Sequence, residues 1–142
     1  MEDFEARLAA AYEAWHASRG RAPQGFFALY ADDIALHSVL EASLMGEMRG
    51  PFVGKGAALA YFTAIAEAWE MIGASVEGFV ARGDKVVMIG HATWRNRKTL
   101  RVVDGPKVDV WTVRDGRAVH YLEMFDSYAT ARALGVVDAP EL

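Results

Sequence analysis

The sequence predicts an α+β fold in which helices pack on one face of an antiparallel sheet. Three observations predict it. Apolar residues follow helical spacing in the first half, Val-, Ile-, Thr- and Trp-rich runs fill the second half, and hairpin-type turn residues separate those runs. The chain has 142 residues, the size of one ordinary domain, so we expect a single domain over residues 1–142.

Three segments in the first half have the spacing of helices. The first runs from about Asp3 to Ser18, is followed by Gly20 and Pro23, and carries an apolar stripe of Phe4, Leu8, Ala11, Tyr12 and Trp15. A short second helix is expected over Gln24 to Tyr30. The third follows a Gly-rich loop from Gly46 to Gly56 and should end near Gly73, with an apolar face of Leu59, Phe62, Ile65, Ala66 and Trp69.

Strand-like runs account for most of the remaining chain. The predicted strands are Ile34 to Leu40, Ser75 to Ala81, Lys85 to Trp94, Thr99 to Val103, Lys107 to Val113 and Arg117 to Phe125. Turns are expected at Arg82-Gly83-Asp84, Arg95 to Lys98, Asp104-Gly105-Pro106 and Arg114-Asp115-Gly116. Asp115-Gly116 is the strongest of these signals, because a two-residue hairpin turn needs positive φ and Gly adopts it without steric cost. Residues 126–134 are expected to form a last helical turn.

Composition narrows the class of protein. Hydrophobic residues make up 53% of the chain against 24% charged, which is enough apolar surface for a core. The net charge of −4 disfavours a nonspecific nucleic-acid binder. The absence of cysteine excludes disulfides and a thiolate nucleophile, and the chain has neither a signal-like start nor an apolar run long enough to span a membrane. We therefore expect a cytoplasmic protein without a membrane or nucleic-acid partner.

Three local motifs resemble the nuclear transport factor 2-like superfamily, and within it the SnoaL-like and ketosteroid isomerase-like proteins. They are residues 27–33 (FALYADD), residues 52–56 (FVGKG), and residues 111–117 (WTVRDGR) followed by Phe125-Asp126. The resemblance implies a cone, in which a curved antiparallel or mixed sheet is wrapped by three N-terminal helices around a deep apolar pocket. It also implies a homodimer formed through the outer face of the sheet. It does not fix an activity, because the superfamily includes both enzymes and proteins that only bind.

Side-chain alternation within that implied cone predicts which residues line the pocket. The expected catalytic pair is Asp109 and Glu123. The expected substrate-binding residues are Tyr12, Trp15, Ser38, Tyr61, Met88, Trp94, Trp111 and Phe125. On this reading the strand after Lys85 contributes a largely apolar wall, and His37 and His91 face outward.

Asp109 is the leading candidate because it lies among apolar neighbours on a half-buried strand. Burial raises the pKa of a carboxyl group, and a neutral acid can donate a hydrogen bond to a developing enolate oxygen. By motif position Asp109 resembles the oxyanion-hole acid of ketosteroid isomerase. The alternative is that the strand turns Asp109 the other way, where it is solvated or paired with Lys107 or Arg117.

The general base is where the resemblance fails. Ser38 stands where ketosteroid isomerase would require a carboxylate, and a serine hydroxyl cannot abstract a proton without a partner base. Glu123 matches an acid of limonene epoxide hydrolase, but the second acid and the arginine of that enzyme would fall near Ala92 and Gly90. The alternative for Glu123 is an ion pair with Arg114 or Arg101.

No metal or other cofactor is predicted. The four histidines, His16, His37, His91 and His120, have no metal-binding spacing, although His37 and His91 could meet across the sheet. No nucleophile elbow is present either.

Three functions stay open at this point. The first is an isomerase, cyclase or dehydratase acting on a small apolar organic molecule, with Asp109 as acid and Glu123 as base. The second is a noncatalytic binding module. The third is a dimerisation module, which a cavity below the few hundred Å³ typical of ligand sites would favour.

Overall fold

The computed structural model describes residues 1–40 and 50–138. These residues form four helices and six strands. The elements are α1 (Glu2–Ala17), α2 (Gln24–Leu29), β1 (Tyr30–Ser38), β2 (Phe52–Val53), α3 (Lys55–Ala68), β3 (Trp69–Arg82), β4 (Lys85–Asn96), β5 (Val102–Arg114), β6 (Arg117–Phe125) and α4 (Ser127–Leu134). Residues 46–49 of the predicted Gly-rich loop lie outside the described residues.

Helix α1 packs as its apolar spacing predicts. Its buried residues are Phe4, Leu8, Ala11, Tyr12 and Trp15. The helix gives way to a turn in which Gly20 has a φ of +79°, a conformation that glycine adopts without steric penalty. The predicted helical end of the chain is also present, and the side chain of Asp126 caps α4 by accepting a hydrogen bond from the amide of Ala129.

The third helix is shorter than the sequence predicts. It ends at Ala68, and Trp69 already belongs to β3, where it pairs with Asn96 of β4. Leu59 and Ala66, both expected on the buried face, are exposed. The prediction was wrong here because helical spacing continues through a segment whose backbone is captured by long-range strand pairing.

The two strands predicted on either side of Asp104-Gly105-Pro106 are one strand, β5. Gly105 pairs with Ala92 and Pro106 with His91, so the ladder continues through the expected turn. The turn that connects β4 and β5 is the one predicted at Arg95 to Lys98, and there the Asn96 side chain accepts hydrogen bonds from the amides of Lys98 and Thr99. An Asn side chain that bonds to nearby amides stabilises a turn of this kind.

The sheet is mixed, with the strand order β2-β1-β6-β5-β4-β3. Strands β1 and β6 run parallel and the other neighbours antiparallel. The hairpin between β5 and β6 is confirmed, with positive φ at both Asp115 and Gly116. The core lies between the helices and one face of the sheet, where Phe26, Trp111 and Tyr121 belong to the same buried cluster as the α1 stripe.

Register places four predicted pocket residues in one row across the sheet. Met88 of β4 pairs with Asp109 of β5, Asp109 with Glu123 of β6, and Glu123 with Ser38 of β1. All four are buried. The row lies on the core-facing side of the sheet, so the two carboxyl groups face the helices.

Candidate active site

A cavity of about 110 Å³ opens between the helices and the inner face of the sheet. Its walls are largely aromatic and include residues of α1, α2, α3 and the sheet. They include Tyr12, Trp15, Phe26, Tyr61, Phe62, Trp94, Trp111 and Phe125. The volume lies below the few hundred Å³ typical of sites for drug-sized ligands. It is close to that of an engineered cavity of about 150 Å³ that holds benzene in another protein.

All of the predicted site residues except Ser38 and Met88 line this cavity. Ser38 and Met88 are buried at the two ends of the row that contains Asp109 and Glu123. The Ser38 hydroxyl accepts a hydrogen bond from the amide of Leu40 at 3.2 Å. These two residues therefore flank the acidic pair in the sheet.

Asp109 and Glu123 are directly opposite each other on neighbouring antiparallel strands. Their side chains are only 1% and 5% exposed. Facing residues on adjacent strands have Cβ atoms about 5 Å apart, so the two carboxyl groups share one small volume. The charge on either carboxyl group therefore acts on the other at short range.

Three tyrosine hydroxyls donate to the carboxyl groups. The hydroxyl of Tyr12 lies 2.5 Å from Oδ2 of Asp109, and that of Tyr61 lies 2.5 Å from Oε1 of Glu123. The hydroxyl of Tyr121 lies between the acids, 3.1 Å from Oδ1 of Asp109 and 3.3 Å from Oε2 of Glu123. Trp111 extends the network by donating from Nε1 to the Tyr12 hydroxyl at 3.0 Å.

Lys107 completes the group, although it is not among the residues predicted to line the pocket. Its Nζ lies 3.3 Å from Oε2 of Glu123 and 3.6 Å from Oδ1 of Asp109. It also lies 3.4 Å from the Tyr121 hydroxyl. The signal was present in the sequence, because Lys107 and Asp109 are two residues apart and therefore share a strand face. Lys107 was named as a partner of Asp109 only for the case in which that acid faces away from the pocket, whereas the two side chains lie together in the cavity wall.

Burial controls the ionisation of the group. It raises the pKa of Asp109, an effect that the Lys107 charge opposes and the Glu123 charge reinforces. Burial acts to lower the pKa of Lys107, but the two carboxylates outweigh it and the net shift is upward. Burial also raises the pKa values of Tyr12, Tyr61 and Tyr121, so their hydroxyls stay protonated as donors.

The other partners expected for these acids are engaged elsewhere. Arg114 pairs with Asp33, and Arg101 donates to the carbonyl oxygen of Arg132. The positions near Ala92 and Gly90 do not supply a second acid and a cation. Instead, Lys107 and Asp109 of the neighbouring strand bring a cation and a second acid beside Glu123.

The histidines do not converge on the cavity. The ring of His37 stacks on that of His120 with centroids 4.5 Å apart. His37 and His91 do not face each other on neighbouring strands, because β6 and β5 lie between β1 and β4. His91 instead lies 2.8 Å from Asp104. Within residues 1–40 and 50–138, no group of three His, Cys, Asp or Glu side chains is arranged to hold a metal ion. None of the helices described is long and apolar enough to cross a membrane.

Solved structures share this architecture. An NTF2-like protein of unknown function from Burkholderia pseudomallei is 23% identical, and the match covers 94% of this chain and 98% of that one with a TM-score of 0.80. An NTF2-like protein from Burkholderia xenovorans is 27% identical over 92% of this chain and 95% of its own, with a TM-score of 0.72. TerC, co-crystallised with polyporic acid, is 18% identical over 93% of this chain and 98% of its own, with a TM-score of 0.75. The fold is therefore NTF2-like.

The sequence identifies the family more closely. The model of the SnoaL-like domain matches residues 8–121. The chain belongs to the SnoaL-like domain family. A comparison with curated proteins found no match.

Proposed function

We propose that this protein binds a small, largely apolar organic molecule in the aromatic cavity and moves a proton on it, as an isomerase, cyclase or dehydratase does. The observation that carries this proposal is the buried pair of Asp109 and Glu123 facing each other on the cavity wall. Two carboxyl groups that share a low-dielectric volume favour one proton between them, which provides one acid and one base.

The roles follow from the environment of each acid. Glu123 is the more exposed of the two and acts as the base. Asp109 is the deeper one, and its raised pKa suits an acid. In an enolisation, the C–H bond next to a carbonyl breaks, the proton goes to the Glu123 carboxylate, and the electron pair moves onto the carbonyl oxygen. Asp109 supplies a proton when the product requires one.

Size restricts the ligand. A cavity of about 110 Å³ accommodates roughly one six-membered ring unless side chains move. Stacked and edge-on aromatic walls, including Phe26 stacked on Trp111 with centroids 5.9 Å apart, favour a flat molecule. TerC has been co-crystallised with a small molecule, polyporic acid, which supports a binding role for this fold.

Deuterium exchange tests the proposed proton transfer without a known substrate. We expect the protein in D2O to accelerate exchange of the α-protons of cyclohexanone, followed by NMR. Glu123→Gln should lower the accelerated rate by about 10²-fold or more, because general-base catalysis contributes about that much. Asp33→Asn is the matched control, since Asp33 is an exposed carboxylate paired with Arg114 on the surface.

The second candidate is a noncatalytic binding module. Both acids already accept hydrogen bonds from tyrosines, and Ser38 cannot act as the missing base, which favours this reading. Binding of a phenol that quenches tryptophan fluorescence, together with exchange no faster than in buffer, would select it. The small cavity also keeps the dimerisation module open, and absence of any binding would select that third candidate. The homodimer and the cytoplasmic location stay predictions.

A further inference from the structure

Lys107 differs from the two acids in how much of its bonding capacity is used. Each carboxyl group accepts a hydrogen bond from a tyrosine hydroxyl, with an oxygen–oxygen distance of 2.5 Å. The Lys107 ammonium has three donors, and its distances to Glu123, Tyr121 and Asp109 are 3.3, 3.4 and 3.6 Å. A strong ammonium–carboxylate hydrogen bond is about 2.7–2.9 Å long. The ammonium is therefore held by charge rather than by short hydrogen bonds.

Lys107 is also the member of the group that a ligand meets most readily. Its side chain is 20% exposed, against 1% for Asp109 and 5% for Glu123. Among the cavity-lining residues of the described chain, it is the only lysine or arginine. Gly90, which faces Lys107 on β4, has no side chain to cover it.

The charges of the cluster determine what the ammonium can accept. The cluster contains two carboxyl groups and one ammonium group, so it has no net positive charge that would attract an anion from solution. A neutral acid can enter, however, give its proton to a carboxylate, and remain as an anion beside the ammonium. The O–H or C–H bond of the ligand breaks, the proton stays on Glu123, and the electron pair rests on the ligand oxygen. No other reactant is needed.

We propose that Lys107 binds the anionic oxygen of the ligand, and that the ligand class is a small planar enol or phenol held as its anion. The inference rests on the proposed function, because Glu123 must take up the proton. In this proposal, Lys107 contacts the ligand directly, and the aromatic walls of the cavity pack against the ligand ring.

The probe is 4-nitrophenol, a one-ring phenol whose anion is yellow and whose neutral form is not. It is titrated into the full chain at the pH where half of the free probe is ionised, and both absorbance and tryptophan fluorescence are followed. We expect the bound probe to be more ionised than the free probe. If the probe instead loses its colour on binding to the wild-type protein, the proposal is contradicted without the need for a variant.

Variants separate the two proposals. Lys107→Met should weaken binding of the anion by about tenfold or more and abolish the increase in colour, whereas Lys107→Arg should retain both. Lys107→Gln serves if the Met variant does not fold. Lys85→Met is the control, because Lys85 is 49% exposed and donates to Thr112 instead.

The outcomes are distinct. If the probe binds wild type and Lys107→Met equally well and in the same ionisation state, the role of Lys107 is wrong and the cavity function stands. If the probe does not bind the wild type at all, both the cavity function and the role of Lys107 are contradicted.

Discussion

At the scale of single residues, the charge of one partly buried cation, Lys107, acts on several groups of the pocket. Burial raises the pKa of Asp109, and the Lys107 charge opposes that rise without reversing it. Its field also reaches His16 of α1, whose pKa is lowered to about 4, first by burial and then by the Lys107 charge. A carboxyl group and an imidazole respond in the same direction because a positive charge disfavours protonation of both.

Removing that charge should raise both pKa values. In Lys107→Met we expect the pKa of Asp109 to rise further, and the pKa of His16 to move from about 4 toward 6.5 without reaching it, because burial remains. Carboxyl-carbon and imidazole NMR titrations measure these shifts. Lys85→Met should leave both values unchanged, and unchanged values in Lys107→Met would show that the ammonium does not act on the pocket.

His16 also affects stability in a definite direction. Its pKa is lower in the folded protein than in the unfolded chain, so the unfolded chain binds more protons between about pH 4 and pH 6.5. The contribution of His16 to stability is therefore complete above about pH 6.5 and is lost as the pH falls toward 4. A His16→Gln variant lacks this contribution to the pH dependence.

At the scale of elements, pairing between β3, β4 and β5 sets the shape of the pocket. Gly90 lies where these strands pass the site, with Val76 on one side and Lys107 on the other. A Cβ at this position would collide with the carbonyl oxygen of Ser75 and would lie 2.9 Å from the sulfur of Met88. The backbone of β3 therefore lies too close to Gly90 to leave room for a side chain at this position.

Gly90→Ala should destabilise the protein by about 1–3 kcal/mol, the usual cost of overpacking a core. Gly78→Ala on β3 is the matched control, since a Cβ there meets no atom within 4 Å. Denaturant unfolding measures both variants. Equal stability of the two variants would mean that the strands can separate at Gly90 at little cost.

At the scale of the whole molecule, the outer face of the sheet carries apolar residues. Successive side chains of β5 point to opposite faces of the sheet, so Val108 and Val110 face away from the pocket that Asp109 faces. Two adjacent rows cross three strands, Ile89–Val108–Met124 and Val87–Val110–Leu122. Ile89 and Met124 are each 37% exposed in the single chain. The other four residues of these rows are partly exposed, and adjacent apolar residues on a solvent-facing surface are typical of an interface.

We expect the protein to form a homodimer through this face. Light scattering at micromolar concentration should give twice the chain mass of 15.6 kDa. Val110→Lys should shift the mass to that of a monomer, because a lysine in the centre of an apolar interface must be desolvated. Leu59→Lys, on the exposed side of α3, should remain dimeric. A monomeric wild type would contradict this prediction.

Local patterns alone determined much of this protein. The α1 stripe and the Asp115-Gly116 hairpin depend on neighbours within a few residues, so the sequence was sufficient to predict them. The expectation that Asp109 and Glu123 line the cavity, where the structure places them, needed the cone implied by the family resemblance in addition to strand alternation. Tertiary structure decided what depends on partners far along the chain. Pairing with β4 ended α3 at Ala68 and carried β5 through Gly105. Register brought Lys107 to Glu123, and the packing of α1 and α3 brought the hydroxyls of Tyr12 and Tyr61 to the acids. These contacts join residues up to 97 positions apart, and the free energy of each is realised only when the sheet and helices are assembled.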